Sequence, residues 1–181
     1  MPKITPIVPR KAAPSLIVKT IQGKTWELKT SSAKNFNMII IYRGLHCPIC
    51  AGYLKKFDQN LEKFSALGVK TIAISTDNYE RAKQSYNNWN LKELLIGYGL
   101  SLDMARTWGL YISSGIINPS TAVTEPEKFV EPGIFLIKSD NTVYMSQTQS
   151  MPFTRPSVDE ILGGIKFAIE NKYPARGELV C

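Results

Sequence analysis

Met38-Ile39-Ile40-Ile41-Tyr42-Arg43-Gly44-Leu45-His46-Cys47-Pro48-Ile49-Cys50 decides how the rest of this chain is read. An apolar, β-branched run enters a short turn, and two cysteines in C-x-x-C spacing stand where a helix should begin. Tyr53, Leu54, Phe57, Leu61 and Phe64 continue in steps of three and four, which is an apolar helical face. Lys55, Lys56, Asp58, Gln59, Glu62 and Lys63 fill the opposite face. The stretch therefore predicts strand, turn, and a dithiol at a helix N-terminus.

That position favours thiol chemistry. Unpaired backbone N–H groups and the positive end of the helix dipole stabilise a thiolate over a thiol. A cysteine placed there can titrate well below the free value of about 8.5. Pro48 suits the first helical turn, because it has no N–H to satisfy and its φ is already helical. Cys50 lies one turn on, within reach of a disulfide to Cys47. The expectation is an exposed nucleophile at Cys47 and a more buried resolving thiol at Cys50.

Working outward, 181 residues with 44% hydrophobic content suffice for one globular domain with a full core. The expected plan is a core over about residues 14–172, an N-terminal arm over 1–13 and a C-terminal tail over 173–181. No apolar run approaches the roughly 18 residues of a membrane helix. The first residues, broken by Pro2, Pro6, Pro9 and Pro14, lack the apolar segment of a secretory signal, so a cytoplasmic protein without membrane partners is expected. Three cysteines are an odd number and argue against a disulfide framework. Zinc needs about four ligands, and the chain offers only Cys47, Cys50, Cys181 and His46, so no metal is expected. The net charge of +7 is spread without a long basic run, which reads as a solvated surface rather than a nucleic-acid interface.

Ser15–Thr20 and Thr25–Leu28 flank Gln22-Gly23-Lys24 and predict a hairpin. Gly68 marks a helix exit, and Val69–Ser75 is apolar enough for a central strand. Asp77 and Glu80 have capping-box spacing ahead of a helix through Ala82, Tyr86 and Trp89. Leu94–Gly97 reads as a short strand. Asp103–Trp108 reads as a short helix capped by Asp103 and stopped by Gly109. Residues 113–131, rich in Ser, Pro, Thr and Glu, read as a long excursion loop. Gly133–Lys138 and Thr142–Met145 form a second hairpin, and Ser157 with Glu160 caps a final amphipathic helix. The order predicts an α/β protein, with a mixed central sheet flanked by helices and an N-terminal β-hairpin extension.

Strand, C-x-x-C at a helix start, a later Pro before a hairpin and a closing helix together resemble the thioredoxin fold. Residues 42–50, Ile72-Ala73-Ile74-Ser75-Thr76-Asp77 and the tail Gln149-Ser150-Met151-Pro152-Phe153-Thr154-Arg155-Pro156 are similar to the peroxiredoxin-like branch, the alkyl hydroperoxide reductase C and thiol-specific antioxidant family, in a CPxC subgroup. The resemblance covers roughly residues 14–172. It implies a cis Pro132 that faces the dithiol and offers the Glu131 backbone to an extended substrate. It further implies a redox-active disulfide as the only prosthetic chemistry, a thioredoxin- or glutathione-type reductant, and a homodimer.

One departure matters. Peroxiredoxins place Thr or Ser three residues before the peroxidatic cysteine, within Pro-x-x-x-Thr-x-x-Cys, whereas Gly44 stands there in this chain. Thiol–disulfide exchange with a protein disulfide is therefore the leading expectation, and thiol-dependent reduction of hydroperoxides the alternative. A non-catalytic or metal-binding interaction domain is a more distant third class. Arg43 is either a thiolate-stabilising cation or a strand-end surface residue. His46 either tunes Cys47 or fills the turn, and Arg155 either folds back to the site or forms a structural ion pair. Cys181 reads as a tail residue or as an intermolecular resolving thiol.

Overall fold

A computed structural model describes residues 5–119 and 121–179. Cys181 and the first four residues of the arm lie outside the described residues. The hairpin β1 (Ile17–Thr20) and β2 (Thr25–Glu27) opens the chain, and β3 (Phe36–Ile41) follows. Helices α1 (Pro48–Gln59) and α2 (Leu61–Ala66) lead to β4 (Val69–Ile74), α3 (Tyr79–Asn88), β5 (Leu95–Tyr98) and α4 (Leu102–Thr107). Short strands β6 (Ile112–Ser114) and β7 (Lys128–Val130) precede the hairpin β8 (Gly133–Lys138) and β9 (Val143–Thr148), and α5 (Val158–Glu170) closes the fold.

The main sheet has the order β2-β1-β5-β4-β3-β8-β9. β3 runs parallel to β4 and antiparallel to β8, so the sheet is mixed. Every residue of β3 is buried, as a central strand covered on both faces requires. Its alternation sorts the core into two layers. Phe36, Met38, Ile40 and Tyr42 pack in one cluster with Cys50, Leu54, Phe57, Phe64, Ile161 and Ile165, under α1, α2 and α5. Ile39 and Ile41 join Val18, Ile72, Ala105, Trp108, Phe135 and Val143 in the other cluster, with α4. The arm lies along the β8–β9 hairpin, where Arg10 N–H donates to Val143 O (2.7 Å) and Ala13 N–H to Asn141 O (2.9 Å).

Several local readings need correction. The expected single helix after the dithiol is broken at Asn60 (φ −112°, ψ 9°), and its second piece is α2. Asp58, at the end of α1, accepts hydrogen bonds from the amides of Lys92, Glu93 and Leu94, which ties the helix to the start of β5. Asn78, not Asp77, caps α3, through its side chain and the Arg81 amide. Ser101, not Asp103, caps α4. Residues 113–131 are not a plain loop: β6 and β7 pair antiparallel, and an isolated bridge joins Ile117 to Thr124. The paired strands are only three residues each, too short for an alternation to show, so the ribbon gives no strand signal.

Candidate active site

The turn between β3 and α1 is held from below by an acid. Leu45 N–H donates to Asp77 Oδ2 at 2.7 Å, and Arg81 Nε donates to Asp77 Oδ1 at 2.7 Å. Gly44 sits at φ +130°, and a Cβ built there would lie 2.6 Å from Asp77 Oδ2. Both the backbone angle and the space require glycine. Asp77, freed from the capping role, instead shapes the approach to Cys47. The missing hydroxyl at position 44 and the Asp77 carboxylate are two sides of one arrangement.

Cys47 is the N-cap of α1, and its Sγ accepts a hydrogen bond from the Cys50 amide at 3.4 Å. No disulfide joins Cys47 and Cys50 in this structure. The Cys50 thiol hydrogen-bonds to Cys47 and is the largest influence holding Cys47 down, to about 6 from an ordinary 9.0. Burial opposes this, while the Cys50 amide, Arg155 and Arg43 add to it. Burial raises Cys50 well above its ordinary range, and the hydrogen bond and charge of Cys47 push it further. Cys47 is thus the thiolate and Cys50 the thiol of the pair at neutral pH.

Exposure differs from expectation. Cys47 is 1% exposed and Cys50 fully buried, so the nucleophile is not a surface group. Both sulfurs belong to the apolar layer under α1, while Pro48 and Ile49 between them face solvent. His46, Pro48, Ala51, Arg81, Trp89 and Val123 line an open cleft of about 470 Å³ beside the cysteines. Neither cysteine lines this cleft or the larger one of about 610 Å³ between the arm, the β8–β9 hairpin and the end of α5.

The β6–β7 ribbon supplies residues that sequence reasoning missed. Arg43 Nη2 meets Glu125 Oε1 at 3.1 Å, and Arg43 Nε lies 3.4 Å from Glu131 Oε2. Both carboxylates are buried, and Ser113 Oγ donates to Glu131 Oε1 at 2.6 Å. Burial raises Glu131 despite Ser113 and Arg43, because the nearby Glu125 charge acts with burial. The Arg43 guanidinium also stands 4.6 Å from the Phe129 ring centroid. Arg43 is therefore a clamp between the dithiol turn and the ribbon, not a loose surface cation. A glutamate in an unpatterned polar stretch carries no local sign that it will be buried.

His46 packs edge-on against Phe129, with centroids 4.5 Å apart. Both its ring nitrogens are buried without a hydrogen-bond partner among the described residues. Burial, with the charges of Arg43 and Arg81, lowers it to about 4, so the ring is neutral at neutral pH. Arg155 does return to the site: its Nη2 lies 3.1 Å from Cys50 Sγ, and its guanidinium is 5.1 Å from the Tyr53 ring centroid.

Pro132 needs a correction. No cis peptide bond occurs among the described residues, so the Glu131–Pro132 bond is trans. The register Ile41↔Gly133 does put Pro132 at the dithiol end of the sheet. Its surroundings already use the backbone, however: Glu131 N–H donates to Tyr111 O (2.8 Å) and Pro132 O accepts from Gln149 N–H (3.0 Å). With those groups paired inside the fold, nothing at this position requires the less favourable isomer.

The AhpC/TSA family model matches residues 9–145. The chain belongs to the AhpC/TSA family. It is accordingly a thiol-dependent oxidoreductase with a thioredoxin-like fold, as the motifs around Cys47 implied. Solved structures agree on the fold. A peroxiredoxin-like protein from Aquifex aeolicus is 18% identical with a TM-score of 0.70, covering 90% of this chain and 88% of its own. The mitochondrial 2-Cys peroxiredoxin of Plasmodium falciparum is 15% identical at 0.71, covering 96% and 99%. A cysteine-to-serine variant of peroxiredoxin 6 from Arenicola marina is 17% identical at 0.73, covering 92% and 76%. No curated protein matches the chain. Among the described residues, no group of three or more His, Cys, Asp or Glu side chains gathers as a metal site would need, and no helix is long and apolar enough to cross a membrane.

Proposed function

We propose that this AhpC/TSA protein is a dithiol peroxidase in which Cys47 attacks a hydroperoxide and Cys50 resolves the product. The observation that carries this reading is the burial of a low-pKa Cys47 directly hydrogen-bonded to Cys50. At 1% exposure, Cys47 can be reached by a two-oxygen electrophile after a side-chain motion, whereas a folded protein disulfide needs an open surface. The Cys47 thiolate would attack one peroxide oxygen and break the O–O bond, leaving a sulfenic acid and an alkoxide or hydroxide that takes a proton from solvent to leave as alcohol or water. The Cys50 thiol would displace hydroxide from that sulfur, form the Cys47–Cys50 disulfide and release water. A thioredoxin- or glutathione-type thiol reductant would then reopen the bridge. No resident cofactor is needed for these steps.

A second reading, thiol–disulfide exchange, draws on the turn. Position 44 has no room for a hydroxyl to orient a peroxide, since Asp77 occupies that space. Exchange also uses Cys47 as attacking thiolate and Cys50 as resolving thiol, without any oxygen to hold. Rapid mixing of the reduced protein with hydrogen peroxide, and separately with a protein disulfide, distinguishes them. The peroxidase reading expects peroxide to oxidise Cys47 at least 100-fold faster than free cysteine, roughly the 2.7 kcal/mol that two decades represent. A Cys50→Ser protein should then accumulate the sulfenic acid. Peroxide reacting no faster than with free cysteine, together with fast mixed-disulfide formation, hands the function to exchange.

A further inference from the structure

We propose that Arg155 is a catalytic residue of the reductive half of this cycle, stabilising the Cys50 thiolate as it leaves the disulfide. The inference rests on the dithiol reading above and adds a step to it. Arg155 Nη2 lies 3.1 Å from Cys50 Sγ, a reacting atom, whereas Arg43 is committed to Glu125 and Glu131. Arg155 has no carboxylate within ion-pair distance among the described residues, and its Nε and Nη1 are buried without a hydrogen-bond partner. Such burial of a guanidinium costs free energy unless an anion faces it.

With Cys50 as a thiol, Arg155 meets only a weak acceptor. With Cys50 as a thiolate, the same contact becomes a charge-assisted hydrogen bond. At rest the guanidinium helps to hold Cys47 as a thiolate, but its direct contact is to Cys50 Sγ, and that contact strengthens only when Cys50 carries the charge, which favours a transition state over the ground state. The Tyr53 ring lies against its face, and Tyr53 Oη donates to Pro156 O at 2.7 Å, fixing the segment that carries Arg155.

A reductant thiolate attacks Cys47 Sγ, a new S–S bond forms, and the Cys47–Cys50 bond breaks with its electron pair passing to Cys50 Sγ. The Cys50 thiolate, paired with Arg155, later takes a proton. The second thiol of the reductant displaces Cys47 and carries away the disulfide. Leaving-group acidity governs such reactions, so a cation on Cys50 accelerates reopening of the bridge. Attack of the Cys47 thiolate on peroxide leaves Cys50 protonated, so that first oxidative step has no Cys50 thiolate to stabilise.

The test compares wild type with Arg155→Met and Arg155→Lys in single-turnover experiments. Reduction of the preformed disulfide by dithiothreitol should slow at least tenfold in Arg155→Met and by less in Arg155→Lys. Oxidation of reduced Cys47 to the sulfenic acid by peroxide, measured well above the Cys47 value of about 6 so that Cys47 is a thiolate with or without Arg155, should change by less than threefold. Equal slowing of both halves, or unchanged reduction, overturns the proposal. A second readout does not need the cycle. In a Cys47→Ser background, the pH profile for alkylation of Cys50 should move to higher pH when Arg155 becomes Met; a purely structural Arg155 leaves it in place. The titratable groups facing Cys50 in the native protein are Cys47 from its own helix start, Tyr42 from the end of β3, and Arg155. Should Arg155→Met not fold, Arg155→Lys decides by the same ratio of reductive to oxidative rates. Failure of wild type to form a Cys47–Cys50 bond on oxidation refutes the dithiol reading instead, while the alkylation profile still judges Arg155.

Discussion

Replacing Gly44 with alanine drives a methyl group into the Asp77 carboxylate. The built Cβ lies 2.6 Å from Oδ2 and 2.9 Å from both Cγ and Oδ1, all closer than van der Waals contact. Asp77 cannot simply swing away, because Arg81 and the Leu45 amide hold one oxygen each at 2.7 Å. Two costs arise. A side chain at φ +130° strains the backbone by about 1–3 kcal/mol. Displacing a charged acceptor from the half-buried Leu45 amide costs about 1.5–3 kcal/mol more. Together they amount to about 2.5–6 kcal/mol, a large share of a typical domain stability of about 5–15 kcal/mol. Urea unfolding of wild type, Gly44→Ala, Asp77→Ala and the double variant separates the two costs. With Asp77 shortened, only the torsional part, about 1–3 kcal/mol, should remain for Gly44→Ala. Equal cost in both backgrounds, or less than about 1 kcal/mol in wild type, refutes the steric account of why this turn carries glycine.

Arg43→Met should destabilise the fold by about 3–5 kcal/mol, because it leaves Glu125 and Glu131 buried without their cation. Chemical denaturation reads this directly, and a loss below about 1 kcal/mol would mean the ribbon is not clamped through Arg43. His46 makes acid stability a second observable. Its folded value of about 4 lies below the unfolded 6.5, so the unfolded chain binds the extra proton. His46 therefore contributes stability that is complete above about 6.5 and is lost as pH falls towards 4. His46→Gln should flatten the stability profile across that window, and an unchanged slope would show that the imidazole titrates freely in the native state. In Cys50→Ala, the Cys47 thiolate absorbance should appear at higher pH than in wild type, since the leading stabiliser, the hydrogen bond from the Cys50 thiol, is removed. An unmoved titration would assign the low Cys47 value to the helix end and the arginines.

What could be read from sequence was what repeats locally. The apolar run Met38–Ile41 of β3, the 3–4 spacing along α1 and the Ser157–Glu160 capping box each carry their geometry in a few neighbours, and each folds as expected. The dithiol and its relatives' motifs were legible for the same reason. The rest of the site depends on contacts across long separations. Asp77 bonds Leu45 across 32 positions and Glu125 meets Arg43 across 82. No periodicity announces such pairs, so Asp77 read as a helix cap and the ribbon as a loop. The burial of Cys47 was hidden likewise, because spacing fixes which turn a cysteine occupies and not what the remainder of the chain lays over it.

The tie between Asp58 and the amides of residues 92–94 gives α1 unequal ends. One end is fastened by three hydrogen bonds to the neighbouring strand's entrance, and the other is capped by a sulfur at 3.4 Å. That sulfur is the group consumed by oxidation, so the helix loses its best cap acceptor when the disulfide closes. Any local unwinding is channelled into Pro48 and Ile49, the two exposed residues between the cysteines, while the far end stays anchored. Hydrogen exchange should accordingly quicken at the first turn of α1 in the oxidised protein and stay slow near Asp58. The molecule's oxidation state would then be displayed at its surface by backbone order, without movement of the sheet beneath.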